Sequence, residues 1–189
     1  MDVEKITLLL VALEQELPID LVPKGMQVIY TGVGKINAAH ATTRAILEIK
    51  PNSIVNFGTA GAVGNLGHGL SKIKDVSQRD IVTTPLAVRG ITPFDFSQNK
   101  FTSSSGDLNC ATGDSFVTSY DPWFDENNIQ LVDMELFAIA KVCHKFGLPW
   151  LSAKYVTDSA NEQAAIDWNK NLANAAKAFI SRCAEFYVE

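Results

Sequence analysis

Three carboxylates, Glu16, Glu135 and Asp158, each follow an apolar run that reads as a β-strand: ITLLLVA (Ile6 to Ala12), QLVDM (Gln130 to Met134) and WLSAKYV (Trp150 to Val156). In an open α/β sheet the carboxyl ends of the strands form the rim where ligands bind. Three acids far apart in sequence would then meet on one rim. Carboxyl groups so placed can donate a proton, accept one, or grip hydroxyls, which suits acid/base work on a small molecule. Two of them have a plainer alternative. Glu135 stands at a strand-to-helix junction, where a carboxylate can simply complement the positive end of the helix dipole. Asp158 could likewise cap the last helix. Yet a carboxylate at the position of Glu135 is also well suited to accept two hydrogen bonds from vicinal hydroxyls.

The elements that must position these acids alternate between strand and helix patterns. After Ile6–Ala12 comes a short polar turn with Glu14 and Glu16, then a strand beginning at Met26. Lys35–Lys50 carries apolar residues at helical spacing and is stopped by Pro51. SIVNF (Ser53 to Phe57) is the next strand, followed by GTAGAVGNLGHG, a loop whose five glycines from Gly58 to Gly69 signal close backbone approach. Asp80–Thr84 reads as a strand ending at Pro85, residues 90 to 109 as a polar loop that is mobile or covered by a partner, and Cys110–Thr112 as a short strand. Pro122–Asn128 is a loop or short helix. ELFAIAKVCHKF forms a helix stopped by Gly147, and an amphipathic helix from about Ala164 to Tyr187 ends the chain. The pattern predicts a single α/β domain over residues 1–189, a three-layer sandwich around a mixed, largely parallel twisted sheet.

Composition narrows the function classes. A chain of 189 residues, 47% hydrophobic, can bury a core as one domain. A net charge of −5 provides no basic footprint for nucleic acid and argues against an anionic membrane surface. Cys110, Cys143 and Cys183 have no metal or redox spacing, and His40, His68 and His144 do not cluster with them, so no metal and no cofactor are expected. The opening MDVEKITLLLVAL has the wrong charge for a signal peptide, and EQEL follows where a cleavage site would be. No apolar run approaches the ~20 residues of a membrane span. The expected location is cytoplasmic.

Two phosphate motifs fail. TGVGKINA follows a strand and opens a helix, but Asn37 stands at the third glycine of a dinucleotide loop and no acid ends the next strand. As a P-loop it has Ile29 at the first glycine and Ile36 where Ser or Thr is required. GTAGAVG is a better candidate: its amides and the Thr59 hydroxyl could donate to the oxygens of a neutral sugar, or it could be a glycine-rich turn with no ligand.

Taken together, VALEQEL (Val11–Leu17), TGVGKINAA (Thr31–Ala39), NFGTAGAVG (Asn56–Gly64), TGDSFV (Thr112–Val117), VDMELFAIAKVCHKFGLPW (Val132–Trp150) and VTDSANEQ (Val156–Gln163) resemble the nucleoside phosphorylase/nucleosidase superfamily. The resemblance is to its 5′-methylthioadenosine/S-adenosylhomocysteine nucleosidases in particular. It covers most of the chain in the right order and implies hydrolysis of the N-ribosidic bond of a purine-type nucleoside. It implies Glu16 as the general base that activates water and Asp158 as the general acid at purine N7. Met134 and Glu135 would grip the ribose, Phe116 would stack on the base, and the Val117 backbone would read it. Thr59 and Gly61 match the loop beside ribose and nucleophile, Thr157 precedes the acid, and Trp168 matches an aromatic flanking the 5′ substituent. Family phosphorylases place an Arg before the glycine turn; here Asn56 stands there, and the chain has only four arginines, Arg44, Arg79, Arg89 and Arg182, so water is favoured over phosphate.

The chain departs from the pattern in a trimmed segment between its first two strands, in Lys154 where an Arg is usual, and in Asp133 where a Glu precedes the Met. Thr59 and Thr157 stand where serines are usual. Members of the resembled family are commonly homodimers whose partner loop closes the 5′ end. RGITPFDFSQN (Arg89 to Asn99) is the candidate for that loop, with Phe94 placed near the neighbouring subunit's site.

Overall fold

The structure, a computed structural model, describes residues 5–186. Its strands are β1 (Thr7–Val11), β2 (Met26–Tyr30), β3 (Ser53–Ala62), β4 (Leu70–Gln78), β5 (Lys100–Thr102), β6 (Leu108–Thr112), β7 (Leu131–Asp133) and β8 (Trp150–Asp158). The α-helices are α1 (Lys35–Ile49), α2 (Pro122–Glu126), α3 (Leu136–Phe146) and α4 (Ala164–Arg182).

β3 organises the sheet. Its first half pairs with β1 and its span from Ile54 to Gly61 with β8, both parallel, while Gly61 and Ala62 pair antiparallel with β7. β8 pairs with β4, β4 with β6, and β6 with β7, which returns to β3. The five strands β3, β8, β4, β6 and β7 therefore close a ring, from which β1 and β2 extend on one side and β5 on another. Five of the eight pairings are parallel, so the sheet is mixed and largely parallel as expected.

Side-chain alternation builds the core on both faces. Leu8 and Leu10 of β1 face a cluster with Ala38, Ala45 and Ile46 of α1 and with Leu136, Ile139 and Ala140 of α3. Leu9 and Val11 face the other way, with Val55 and Phe57 of β3 and Ala175, Ala176 and Phe179 of α4. Phe57 and Phe179 stack with ring centroids 4.4 Å apart. The helix ends follow local chemistry. Lys50 adopts a left-handed conformation before Pro51, and Gly147, at φ 67°, closes α3.

Several sequence expectations need correction. Asp80–Thr84 is not a strand. The strand lies earlier, at Leu70–Gln78, and Ile81 and Val82 fall in a loop where Val82 is exposed. β4 escaped notice because a register shift between Ile73 and Asp75 breaks its two-residue period, so its buried residues, Ile73 and Val76, are three apart. GTAGA belongs to β3, so the glycine loop begins only after Ala62. Residues 90 to 109 are not all loop, since β5 and the start of β6 lie within them. The last α-helix ends at Arg182 and continues as a 3-10 turn, Cys183–Phe186; Tyr187 lies outside the described residues. No helix among the described residues is long and apolar enough to cross a membrane.

Candidate active site

One cavity gathers Glu16, Thr59, Gly61, Phe116, Val117, Met134, Glu135, Thr157, Asp158 and Trp168. All came from the sequence. Ala12, Leu13, Val33, Ala60, Arg79, Ser115, Val132 and Asp133 complete its wall. The three carboxylates are buried. Phe94, the remaining sequence candidate, is not part of the wall; it lies in the loop after Arg89 with its side chain 82% exposed and a φ of 60°.

The rim expected from the sequence holds for two of the acids. Glu16 follows β1 and Asp158 ends β8, and both strands run parallel to β3. β7 runs antiparallel to β3, so Glu135 does not come from a carboxyl end on the same rim. It reaches the cavity because β3 runs past its last β1 pair, at Asn56, and meets Val132 of β7 at Gly61. Closure of the strand ring, not a shared rim, gathers the third carboxylate.

Glu16 is held from two sides. Its Oε1 accepts the Thr59 backbone N–H at 2.8 Å and the Thr59 hydroxyl at 2.7 Å, and its Oε2 accepts the Leu13 N–H at 3.2 Å. Thr59 Oγ1 in turn accepts the Trp168 indole N–H at 2.8 Å. Each hydroxyl has one proton to give, so this chain fixes its direction from Trp168 through Thr59 to Glu16.

Asp158 accepts the Ala160 N–H on Oδ1 at 2.9 Å and the Thr157 hydroxyl on Oδ2 at 2.8 Å. It does not cap the last helix, whose cap position is Gln163. A β-carbon on Gly61 would stand 2.7 Å from Asp158 Oδ1, so only glycine lets this carboxyl lie against β3.

Glu135 occupies the cap position of α3, but its side chain does not cap. Asp133 does: its Oδ2 accepts the N–H of Leu136 at 2.8 Å and of Glu135 at 3.3 Å. Glu135 is thereby released toward the cavity, where Oε1 accepts the Gly34 N–H at 2.9 Å. Burial, reinforced by the negative charge of Asp133, pushes its pKa up to about 7, against the pull of Lys154 and the Gly34 N–H. Asp133 itself is fully buried. Burial would raise its pKa, but Lys154 beside it outweighs that and holds it below the usual carboxylate range.

Sequence reasoning gave Arg79 no role. It follows β4, and its buried guanidinium donates to the Gly113 carbonyl at 3.1 Å, to the Ser115 hydroxyl at 3.2 Å and to the Ser115 carbonyl. The only signal in the sequence was a rare arginine next to an acid, Arg79-Asp80. Among the described residues, no group of three or more His, Cys, Asp or Glu is arranged to hold a metal ion.

The arrangement offers three held carboxyl groups, of which Glu135 keeps one oxygen with no protein donor among the described residues, and apolar walls that include two aromatic rings. Known proteins resemble this chain to different degrees. A family model for the phosphorylase superfamily matches residues 24–78 and 109–186. The 5′-methylthioadenosine/S-adenosylhomocysteine nucleosidase of Staphylococcus haemolyticus is 32% identical, with 78% of this chain and 75% of the relative covered. Its Staphylococcus aureus counterpart is also 32% identical, covering 81% and 78%. Among solved structures, the Neisseria meningitidis 5′-methylthioadenosine/S-adenosylhomocysteine nucleosidase in complex with methylthio-immucillin-A shares the fold. Its TM-score is 0.81 at 24% identity, over 96% of this chain and 97% of that one. The Helicobacter pylori futalosine hydrolase shares it at a TM-score of 0.85 and 22% identity, over 95% and 96%. The chain belongs to the phosphorylase superfamily and, within it, to the family of the 5′-methylthioadenosine/S-adenosylhomocysteine nucleosidases.

Proposed function

We propose that this protein is an N-glycosyl hydrolase that cleaves the N-ribosidic bond of a purine-type nucleoside, such as 5′-methylthioadenosine or S-adenosylhomocysteine. The observation that carries this reading is the meeting of Glu16, Glu135 and Asp158 in one apolar cavity, each held by protein donors. Two Staphylococcus relatives above 30% identity, named for this activity, support it.

In the proposed reaction, water attacks the anomeric carbon and gives a proton to Glu16. The bond from that carbon to the base nitrogen breaks, and Asp158 gives its proton to N7 of the departing purine. The products are the free sugar and the neutral base, and proton exchange with solvent resets both acids. Each proton-transfer group is worth ~10²–10⁴ in rate. Glu135 Oε2 takes the ribose hydroxyls beside Met134. Thr59 and Gly61 border the sugar and Thr157 orients Asp158. Phe116 stacks on the base, the Val117 backbone reads it, and Trp168 flanks the 5′ group.

Phosphorolysis is the alternative. Arg79 brings a cation to the cavity wall, but both its terminal nitrogens are engaged by Gly113 and Ser115. Asn56 is bound to its own core, donating to the Leu10 carbonyl at 3.1 Å and accepting from Ser152 at 3.0 Å. Water is therefore the nucleophile. Product analysis with and without phosphate tests this: free sugar at an unchanged rate is expected, and a sugar 1-phosphate as main product overturns it. Glu16→Gln and Asp158→Asn should each remove most turnover without unfolding the chain.

The same reading places the protein in the cytoplasm as a homodimer, with residues 1–189 acting as one domain and Phe94 near the neighbouring site. The exposure of Phe94 and Phe96, at 82% and 99%, supports a covering partner. The helix–sheet–helix layering expected from the sequence belongs to it too, supported by α1 and α3 on one face and α4 on the other.

A further inference from the structure

Residues 113–117, of which Ser115, Phe116 and Val117 line the cavity, have little backbone order of their own. Among the described residues, Gly113 donates its N–H to the Asp133 carbonyl at 3.0 Å, and Thr112 accepts the Arg79 N–H at 2.9 Å. Beyond that, besides a bond from Lys35 to Asp114, the segment is held by a pair of consecutive side chains just after β4. Arg79 binds the Gly113 carbonyl and both oxygens of Ser115. Asp80 accepts the Asp114 N–H at 2.8 Å and also takes the Lys35 ammonium.

The fit of Arg79 is tight. A β-carbon on Gly113 would stand 2.8 Å from Arg79 Cζ and 3.0 Å from its Cγ and Nε, so the guanidinium fills the space a side chain there would need. Arg79 is 5% exposed, and among the described residues no carboxylate lies within ion-pair distance of it. A planar guanidinium buried with no carboxylate in ion-pair contact, only the longer-range charges of Asp80 and Asp133, and with both terminal nitrogens turned onto the oxygens of one loop, is arranged to set that loop's shape. The bonding continues past it. Lys35 N–H donates to Asp114 Oδ1 at 2.7 Å, and its neighbour Gly34 donates to Glu135.

We propose that Arg79 is a positioning residue for base recognition: it fixes residues 113–115 and so places Phe116 and Val117 against the purine. This rests on the nucleosidase reading, in which those two residues meet the base. Arg79 acts through the loop and touches no reacting atom.

The test compares wild type with Arg79→Met and Gly113→Ala, each checked for a folded state by circular dichroism. Gly113→Ala keeps the arginine but displaces it. Inhibition constants are measured for free adenine and, separately, for the methylthio-sugar released from 5′-methylthioadenosine. The expected result is a rise of at least about tenfold for adenine in both variants, the scale of losing one or two charged hydrogen bonds. The constant for the sugar should change less than about twofold, since Glu135 keeps its own contacts. Equal changes for adenine and sugar, or no change for either, overturn the positioning role. If Arg79→Met does not fold, Gly113→Ala alone decides by the same ratio. Wild-type protein that neither cleaves 5′-methylthioadenosine nor binds adenine overturns the nucleosidase reading itself, an outcome separate from a variant that fails to discriminate.

Discussion

Lys154 Nζ lies 2.8 Å from Asp133 Oδ2, and the two side chains are only 1% and 0% exposed. Burial works against the ammonium, but Asp133 and then Glu135 outweigh it and hold the Lys154 pKa above the ordinary lysine value. The same Nζ would stand 3.2 Å from a β-carbon on Gly58, next to Glu16 Oε1 at 3.5 Å from that point. One buried cation thus lies among Asp133, Glu135 and Glu16. Lys154 and Asp133 are ion-pair partners.

Removing this cation should be costly. Lys154→Met leaves Asp133 buried without its partner, and breaking such a pair typically costs about 3–5 kcal/mol. Urea unfolding should show an unfolding free energy lower by that amount. A loss under about 1 kcal/mol, the range of an exposed pair, would contradict it.

Glu135 gives a pH dependence. Its folded pKa of about 7 lies above the ordinary 4.5, so the folded state keeps the proton longer than the unfolded chain. This group's contribution therefore favours the fold at low pH and is lost as pH rises from about 4.5 through about 7. Its effect on ribose binding has the opposite direction. Below pH 7 the carboxyl is protonated and accepts fewer hydroxyls, so KM should rise as pH falls through about 7. In Glu135→Gln that rise should flatten while KM is high throughout. Profiles of KM from pH 5.5 to 8.5 for the two proteins decide the matter.

Gly61→Ala should be a catalytic lesion with little loss of fold. The new methyl would lie 2.7 Å from Asp158 Oδ1, and the carboxyl must move. A displacement of about 1 Å at a reacting group can cost ~10² in rate. kcat should fall by about that factor, and a rate within twofold of wild type would show that Asp158 needs no fixed place.

The proposed homodimer is tested through the loop after Arg89. Light scattering at micromolar concentration should report twice the mass of one chain, and Phe94→Ala should weaken substrate binding without dissociating the dimer. An active monomer sinks both statements; an unaltered KM in a dimeric Phe94→Ala sinks the second.

The sequence carried the site better than the sheet. Glu16, Glu135 and Asp158 follow short runs of Leu, Val and Ile that read as buried strands, Thr59 stood out as a hydroxyl in a glycine-rich run, and Phe116 and Trp168 came from the family resemblance. β4 was hidden because its bulge replaces the two-residue period with Ile73 and Val76 three apart. The closed ring depends on β3 meeting β7 by only two residues, a pairing no local pattern announces. Arg79 was visible only as a residue type, because its partners are carbonyls of a distant loop and any sequence supplies carbonyls. The capping role went to Asp133 and not Glu135, a choice between neighbours that only the backbone angles at the start of α3 decide.

Closing the strand ring also limits what can attach to this protein. β1, β3, β7 and β8, the strands that carry or adjoin the carboxylates, each have a paired neighbour on both sides. Unpaired edges remain at β2 and at β5, which is three residues long and opens with Lys100. The short, charged edge at β5 discourages foreign strands from docking there. The interior strands therefore offer no template for aggregation while the ring stays shut.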